Sequence, residues 1–286
     1  MESIGFKDKF IGFMDVLGWK SMVGAAEAGS GMSLSLLLEE LKKFGSAEIR
    51  NQFEKNGRPN VCPMSTFIQP HLDFRLNQAS DSVVISSEIS PAGAINLLAH
   101  CWGSAMALLR SGIMCRGYIT RGAIFHSETN FVGTGYQNAV EAEKNVRAFK
   151  RVADERGTPF VEVDRAVCDY ISNCNDECVK TMFARFVEGD GDVMALFPFK
   201  RLCHNFIIAG FGHKFNGEAE KQANQNMRLE IQKLRQRVMA HVDETNPDAM
   251  RKAQHYILAL ESQLQVCDKT DEMIDGLSAP FPRGRY

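Results

Sequence analysis

Two acids stand where short apolar runs begin or end. Asp15 sits near the end of FIGFMDV (residues 10–16), and Asp81 follows Gln78-Ala79-Ser80 just ahead of Val83, Val84 and Ile85. A carboxylate near a strand end, beside a backbone carbonyl and open to solvent on one side, is a hard oxygen ligand suited to Mg²⁺ or Mn²⁺. Two such ions held between two carboxylates lower the pKa of an attacking hydroxyl and neutralise a departing pyrophosphate. Taken singly, each acid also fits a turn residue or a helix cap. The residues after Asp15 favour the metal role. Val16-Leu17-Gly18-Trp19 leads into a helix whose free N–H groups can receive a triphosphate, and Gly18 permits the close turn.

These acids need elements to position them. Residues 10–16 read as a buried strand with a polar end. Residues 20–28 and 32–56 read as helices, the second capped by Ser33 and carrying Leu34, Leu37, Leu38, Leu41 and Phe44 on one face. Gly57, Pro59, Pro63 and Pro70 mark 57–70 as loop. HLDFRLNQASDSVVISS reads as a β-hairpin with Asp81 at or near its tip. Pro91 opens a helix to about 111, and MCRGYITRGAIF (about 114–125) is a strand. Val132–Val152 reads as a helix entered through Gly133 and Gly135, and Phe160–Val163 as another strand. The order β-α-β-β-α-β-α-β predicts an α+β fold, a ferredoxin-like split βαβ mixed sheet with helices on one face. Beyond about 216 the chain turns charged and Gln-rich, with helices at 218–243 and 248–266 broken at Asn246-Pro247. The expected organisation is a catalytic domain over 1–212 and a C-terminal helical extension over 213–286.

Composition narrows the setting. Of 286 residues, 44% are hydrophobic and 24% charged, which is ordinary globular composition. A net charge of -2 gives no basic surplus for nucleic acid. Charges interrupt the N-terminus before a signal-like apolar run can grow, and no continuous apolar run reaches the ~18–20 residues of a membrane span. A cytoplasmic protein with no membrane or nucleic-acid partner is expected. Its 8 cysteines then read as thiols. The loose spacing of Cys174, Cys178, Cys203 and His204 makes a poor zinc site.

The motifs together resemble a known family. FIGFMDVLGW and NQASDSVVIS are similar to the two metal-carrying segments of class III nucleotidyl cyclases. CRGYITRGAIFH is similar to the strand that follows there, and NFVGTGYQNAVEAEK to the substrate-binding helix entry. The four occur in the family's order across roughly residues 8–165. The form of Arg116–Gly122 and the Ala139…Glu143 spacing resemble the bacterial pyrimidine cyclases of Pycsar antiphage systems.

The resemblance implies a mechanism and a partner. Asp15 and Asp81, with the carbonyl of Val16, would hold two Mn²⁺ or Mg²⁺ ions. One metal would activate the ribose 3′-hydroxyl for in-line attack on the α-phosphorus, and the other would neutralise pyrophosphate. Phe13, Leu17, Gly18 and Trp19 would line the triphosphate site. Asn77 and Asn130 match base-reading positions, and Gln137 the ribose-contacting one. An amide offers both donor and acceptor, so Asn77 is compatible with uracil or cytosine, and the resemblance to the Pycsar cyclases implies UTP or CTP as substrate, with UTP favoured. Metals on one protomer and base contacts on the other imply a head-to-tail homodimer, and a separate effector would bind the cyclic nucleotide.

Two departures stand out. Purine cyclases carry a transition-state Arg one turn after the ribose contact, where this chain has Glu141. The terminal-phosphate Lys has no clear counterpart; Arg116, Arg121, Lys144, Arg147, Lys150 and Arg151 are the cations in reach, the last four placed on one predicted helix. The alternatives are an inactive nucleotide sensor on the same fold and another two-metal nucleotidyltransferase.

Overall fold

A computed structural model describes residues 4–45, 72–204, 206 and 215–278. Residues 46–56 of the expected 32–56 helix, the whole loop at 57–70, Cys62 and the boundary at 212/213 lie outside these residues. Strand β1 (Lys7–Val16) is buried on both faces from Lys9 to Met14, as its unbroken apolar run requires of a central strand. It lies between β3 (Ser82–Glu88) and β4 (Cys115–His126), antiparallel to both. Strand β2 (Phe74–Ala79) pairs with β3 as a hairpin. The order β2-β3-β1-β4 is the split βαβ arrangement. The sheet continues through β6 (Val161–Val163), parallel to β4, and then β8 (Val193–Leu196) and β7 (Val187–Asp190). The two-residue β5 (Phe131–Val132) folds back on the end of β4.

Helices cover the sheet because its faces are apolar. Helix α1 spans Trp19–Glu27 and α2 Leu34–Leu41. Helix α3 (Pro91–Arg110) starts at Ser90, whose hydroxyl accepts from Gly93 N–H at 3.0 Å. It packs Ile95, Leu98 and Cys101 against Phe10, Met14, Val83 and Ile85. Among the described residues it alone is long and apolar enough to cross a membrane, and most of it is buried as the core helix. The opposite face of β1 presents Ile11 and Phe13. There a short helix, α4 (Thr134–Glu143), packs Ala139 and Tyr136 over them and over Val84 and Ile124. It sits backbone to backbone on the sheet, since a Cβ at Gly135 would stand 2.5 Å from Ile11 Cδ1 and 2.9 Å from the Gly122 carbonyl carbon.

Helix α4 ends at Glu143 rather than near 152. Burial of Val146 and Ala148 pulls the chain into turns, and Phe149 takes a left-handed φ of 56°. Thr158 clamps this stretch through Ala148 O at 2.7 Å and Val146 O at 3.1 Å. Lys144, Arg147, Lys150 and Arg151 therefore share no helix face, which corrects the sequence expectation. Two helices that follow β6, α5 (Arg165–Ser172) and α6 (Glu177–Phe186), add to the α3 face. The C-terminal helices α7 (Gly217–Ala240) and α8 (Pro247–Ser278) bury Ile231, Leu234, Val238, Tyr256 and Leu260 in one cluster with Met106, Leu109, Phe160 and Phe199. They share a core with the sheet.

Candidate active site

The β1–β3 ladder brings the two acids together. Asp15 is registered against Ser82, next to Asp81, and Val16 N–H donates to the Asp81 carbonyl at 3.1 Å. The hairpin turn is only Ser80 and Asp81, with Ser80 at φ 56°. On the other side of β1, Asp15 is registered against Arg116 of β4. Alternation along the strands puts Asp15, Phe13 and Arg116 on the face covered by α4. Phe13 is buried there, edge-on to Tyr136.

Electrostatics single out Asp15. Burial pushes its carboxyl up to about 7, and the charges of Asp81 and Glu143 add to the rise while Arg116 opposes it. The Arg116 guanidinium is engaged by Glu143 through Nε and by the Gly157 carbonyl through Nη1 at 3.3 Å. Two neighbouring carboxylates with their nearest cation already paired form a site that a divalent ion would relieve.

The donor set fits such an ion. Among the described residues no three His, Cys, Asp or Glu side chains gather to hold a metal. The pair thus offers two carboxylates, and further ligands would be backbone carbonyl, phosphate and water, the usual situation for Mg²⁺ at a nucleotide. Beside it, α1 begins at Gly18 with φ 77° and no side-chain cap. Its first-turn N–H groups lack intrahelical partners, which suits an anion. Leu17 N–H is taken by Met114 O at 2.9 Å, and Trp19 is half-buried against the α3 cluster.

The amide positions form a second group on the same face. Asn77 donates to the Glu128 carbonyl at 2.9 Å and shares a 2.7 Å hydrogen bond with His126, which also bonds Ser86 Oγ at 2.8 Å. Asn130 sits in the same β4–β5 turn, exposed, with its N–H held by Ser127 Oγ at 3.0 Å. Gln137 is exposed on α4, one turn before the exposed Glu141. Arg121 does not join either group. It is registered against Phe10, on the α3 face, and pairs with Asp8 at 2.7 Å. Arg147 pairs with Asp192 at 2.8 Å.

No family model matches the sequence, and no curated protein matches it. Two contacts at the candidate site escaped sequence reasoning: His126 on Asn77 and Glu143 on Arg116. The sequence signalled neither, since the expected helix ran on to Val152 and placed Glu143 mid-helix, away from the end that the structure gives it.

Proposed function

We propose that the chain is a cytoplasmic nucleotidyl cyclase that converts a pyrimidine nucleoside triphosphate, UTP ahead of CTP, to its 3′,5′-cyclic monophosphate and pyrophosphate. The observation that carries this is the convergence of Asp15, at the end of β1, and Asp81, in the turn before β3, beside the start of α1, which has no side-chain cap, and with Arg116 registered against Asp15. The two carboxylates would hold Mn²⁺ or Mg²⁺, which supplies the charge for activating the ribose hydroxyl and for pyrophosphate departure. The N–H groups at Gly18 and Trp19 orient the triphosphate, while Arg116, registered against Asp15, is held by Glu143.

The resemblance to class III cyclases, in which metal and base contacts come from different protomers, implies a shared site. Asn77, Asn130 and Gln137 of one chain would read the base and ribose of a nucleotide held by Asp15 and Asp81 of a second chain. That makes a head-to-tail homodimer with two sites. The product would signal to a separate cyclic-nucleotide-binding effector in antiphage defence, as the resemblance to the Pycsar cyclases implies. The exposed Glu141 favours a second reading, a nucleotide sensor without turnover, since purine cyclases have an Arg there. Incubation with each of the four nucleoside triphosphates and Mn²⁺, with products weighed by mass spectrometry, separates them. A cyclic pyrimidine nucleotide supports the cyclase. Saturable binding without product supports the sensor, and a linear dinucleotide supports another nucleotidyltransferase.

A further inference from the structure

We propose that Glu143 is a positioning residue that keeps Arg116 off Asp15 and so preserves the charge of the metal pair. This rests on the metal-binding reading of Asp15 and Asp81. Arg116 and Asp15 are cross-strand neighbours on one face, where side chains meet at ~4.5–5.5 Å between Cβ atoms. A free guanidinium there would pair with Asp15 and compete with a divalent ion. Glu143 takes it instead, with side chains only 15% and 4% exposed. The Gly157 carbonyl takes a second N–H at 3.3 Å. Gly157 has φ 68°, and a Cβ on it would stand 2.6 Å from Arg116 Nη1, so the loop is shaped around the guanidinium.

Glu143 is costly where it stands. It is 3% exposed and in the last turn of α4, where the helix dipole disfavours an anion. Apolar residues could fill a buried pair of this kind without that cost. Charge balance gives the pair a purpose. Glu143 offsets Arg116, which leaves the negative charges of Asp15 and Asp81 available to divalent cations. Glu143 also closes the helix that carries Gln137, so one rigid element ties the acid group to the amide-bearing face.

The test is Mn²⁺ affinity, measured by calorimetry or by the spin signal of free Mn²⁺, on folded protein without nucleotide. Glu143→Gln frees Arg116 to pair with Asp15 and should weaken Mn²⁺ binding roughly 10–100-fold, the usual effect of losing a residue that supports a metal ligand. The double variant Glu143→Gln with Arg116→Gln removes both charges and should restore wild-type affinity. A purely structural role would not give that rescue. The proposal is overturned if Glu143→Gln binds Mn²⁺ as wild type does, or if the double variant binds as weakly as the single one. Should Glu143→Gln not fold, the double variant, which leaves no buried charge unpaired, still decides: affinity tenfold or more below wild type overturns the proposal. Wild-type protein that binds no Mn²⁺, or binds it equally after Asp15→Ala, overturns the metal reading itself and is a distinct outcome.

Discussion

Replacing Asp15 by Asn should stabilise the metal-free protein at alkaline pH and leave it unchanged in acid. In the folded chain burial and the charges of Asp81 and Glu143 hold the Asp15 proton up to about pH 7, against 3.8 for an ordinary Asp. Between those values the folded state binds more protons than the unfolded state, so stability falls as pH rises. The Asp15 contribution is whole below about pH 4 and lost once the pH passes about 7. The full rise corresponds to ~4 kcal/mol. Asp15 is only part-buried, and solvent screening reduces this to ~1–2 kcal/mol. Asn is isosteric and neutral, so it escapes the loss. Melting curves in chelator should then place Asp15→Asn roughly 2–6 °C above wild type at pH 8, with the gap closing toward pH 4. Added Mn²⁺ should raise the wild-type melting temperature and not that of the variant, reversing the order. A gap that stays constant from pH 4.5 to 8, or a variant that melts below wild type at pH 8 in chelator, refutes the reasoning.

Three further outcomes follow from the fold and site. Gly135→Ala pushes a Cβ into Ile11 and the Gly122 backbone; it should cost ~1–3 kcal/mol in chemical denaturation and lower turnover by displacing Gln137 and Glu143. Tyr256→Ala opens the cluster that joins α8 to Phe160 and Phe199, and should lose ~3–5 kcal/mol by the same measurement. Variants Asp15→Ala and Gln137→Ala should each be inactive alone, yet mixing and re-equilibrating them should recover about a quarter of wild-type turnover, because mixed dimers hold one intact shared site. No recovery on mixing, with exchange verified, contradicts the shared site.

What sequence could say depended on how local each signal was. β1 was legible because FIGFMDV is a short apolar run, and the hairpin because polar turn residues separate alternating segments. Register then placed Asp15 by Asp81 as the split βαβ order implied. The basic run after Glu143 misled: its helix propensity was overridden when Val146 and Ala148 found burial beside Phe160. The β7–β8 hairpin had a usable cue in Asp190-Gly191-Asp192, with Gly191 at φ 61°, but its strands are four residues each and weakly patterned. The Arg116–Glu143 and Asn77–His126 pairs were not legible, because each joins residues far apart in sequence through the way α4 and the β4–β5 turn fold over the sheet.

The most direct measurement is turnover of UTP and CTP with Mn²⁺ by wild type, Asp15→Ala and Asp81→Ala side by side, each checked for folding. Wild type should give cyclic pyrimidine monophosphate and pyrophosphate in equal amounts, and neither variant should give either product. A folded wild type that makes no cyclic nucleotide from either substrate, or a variant at either acid that keeps near-normal turnover, would contradict the proposed function.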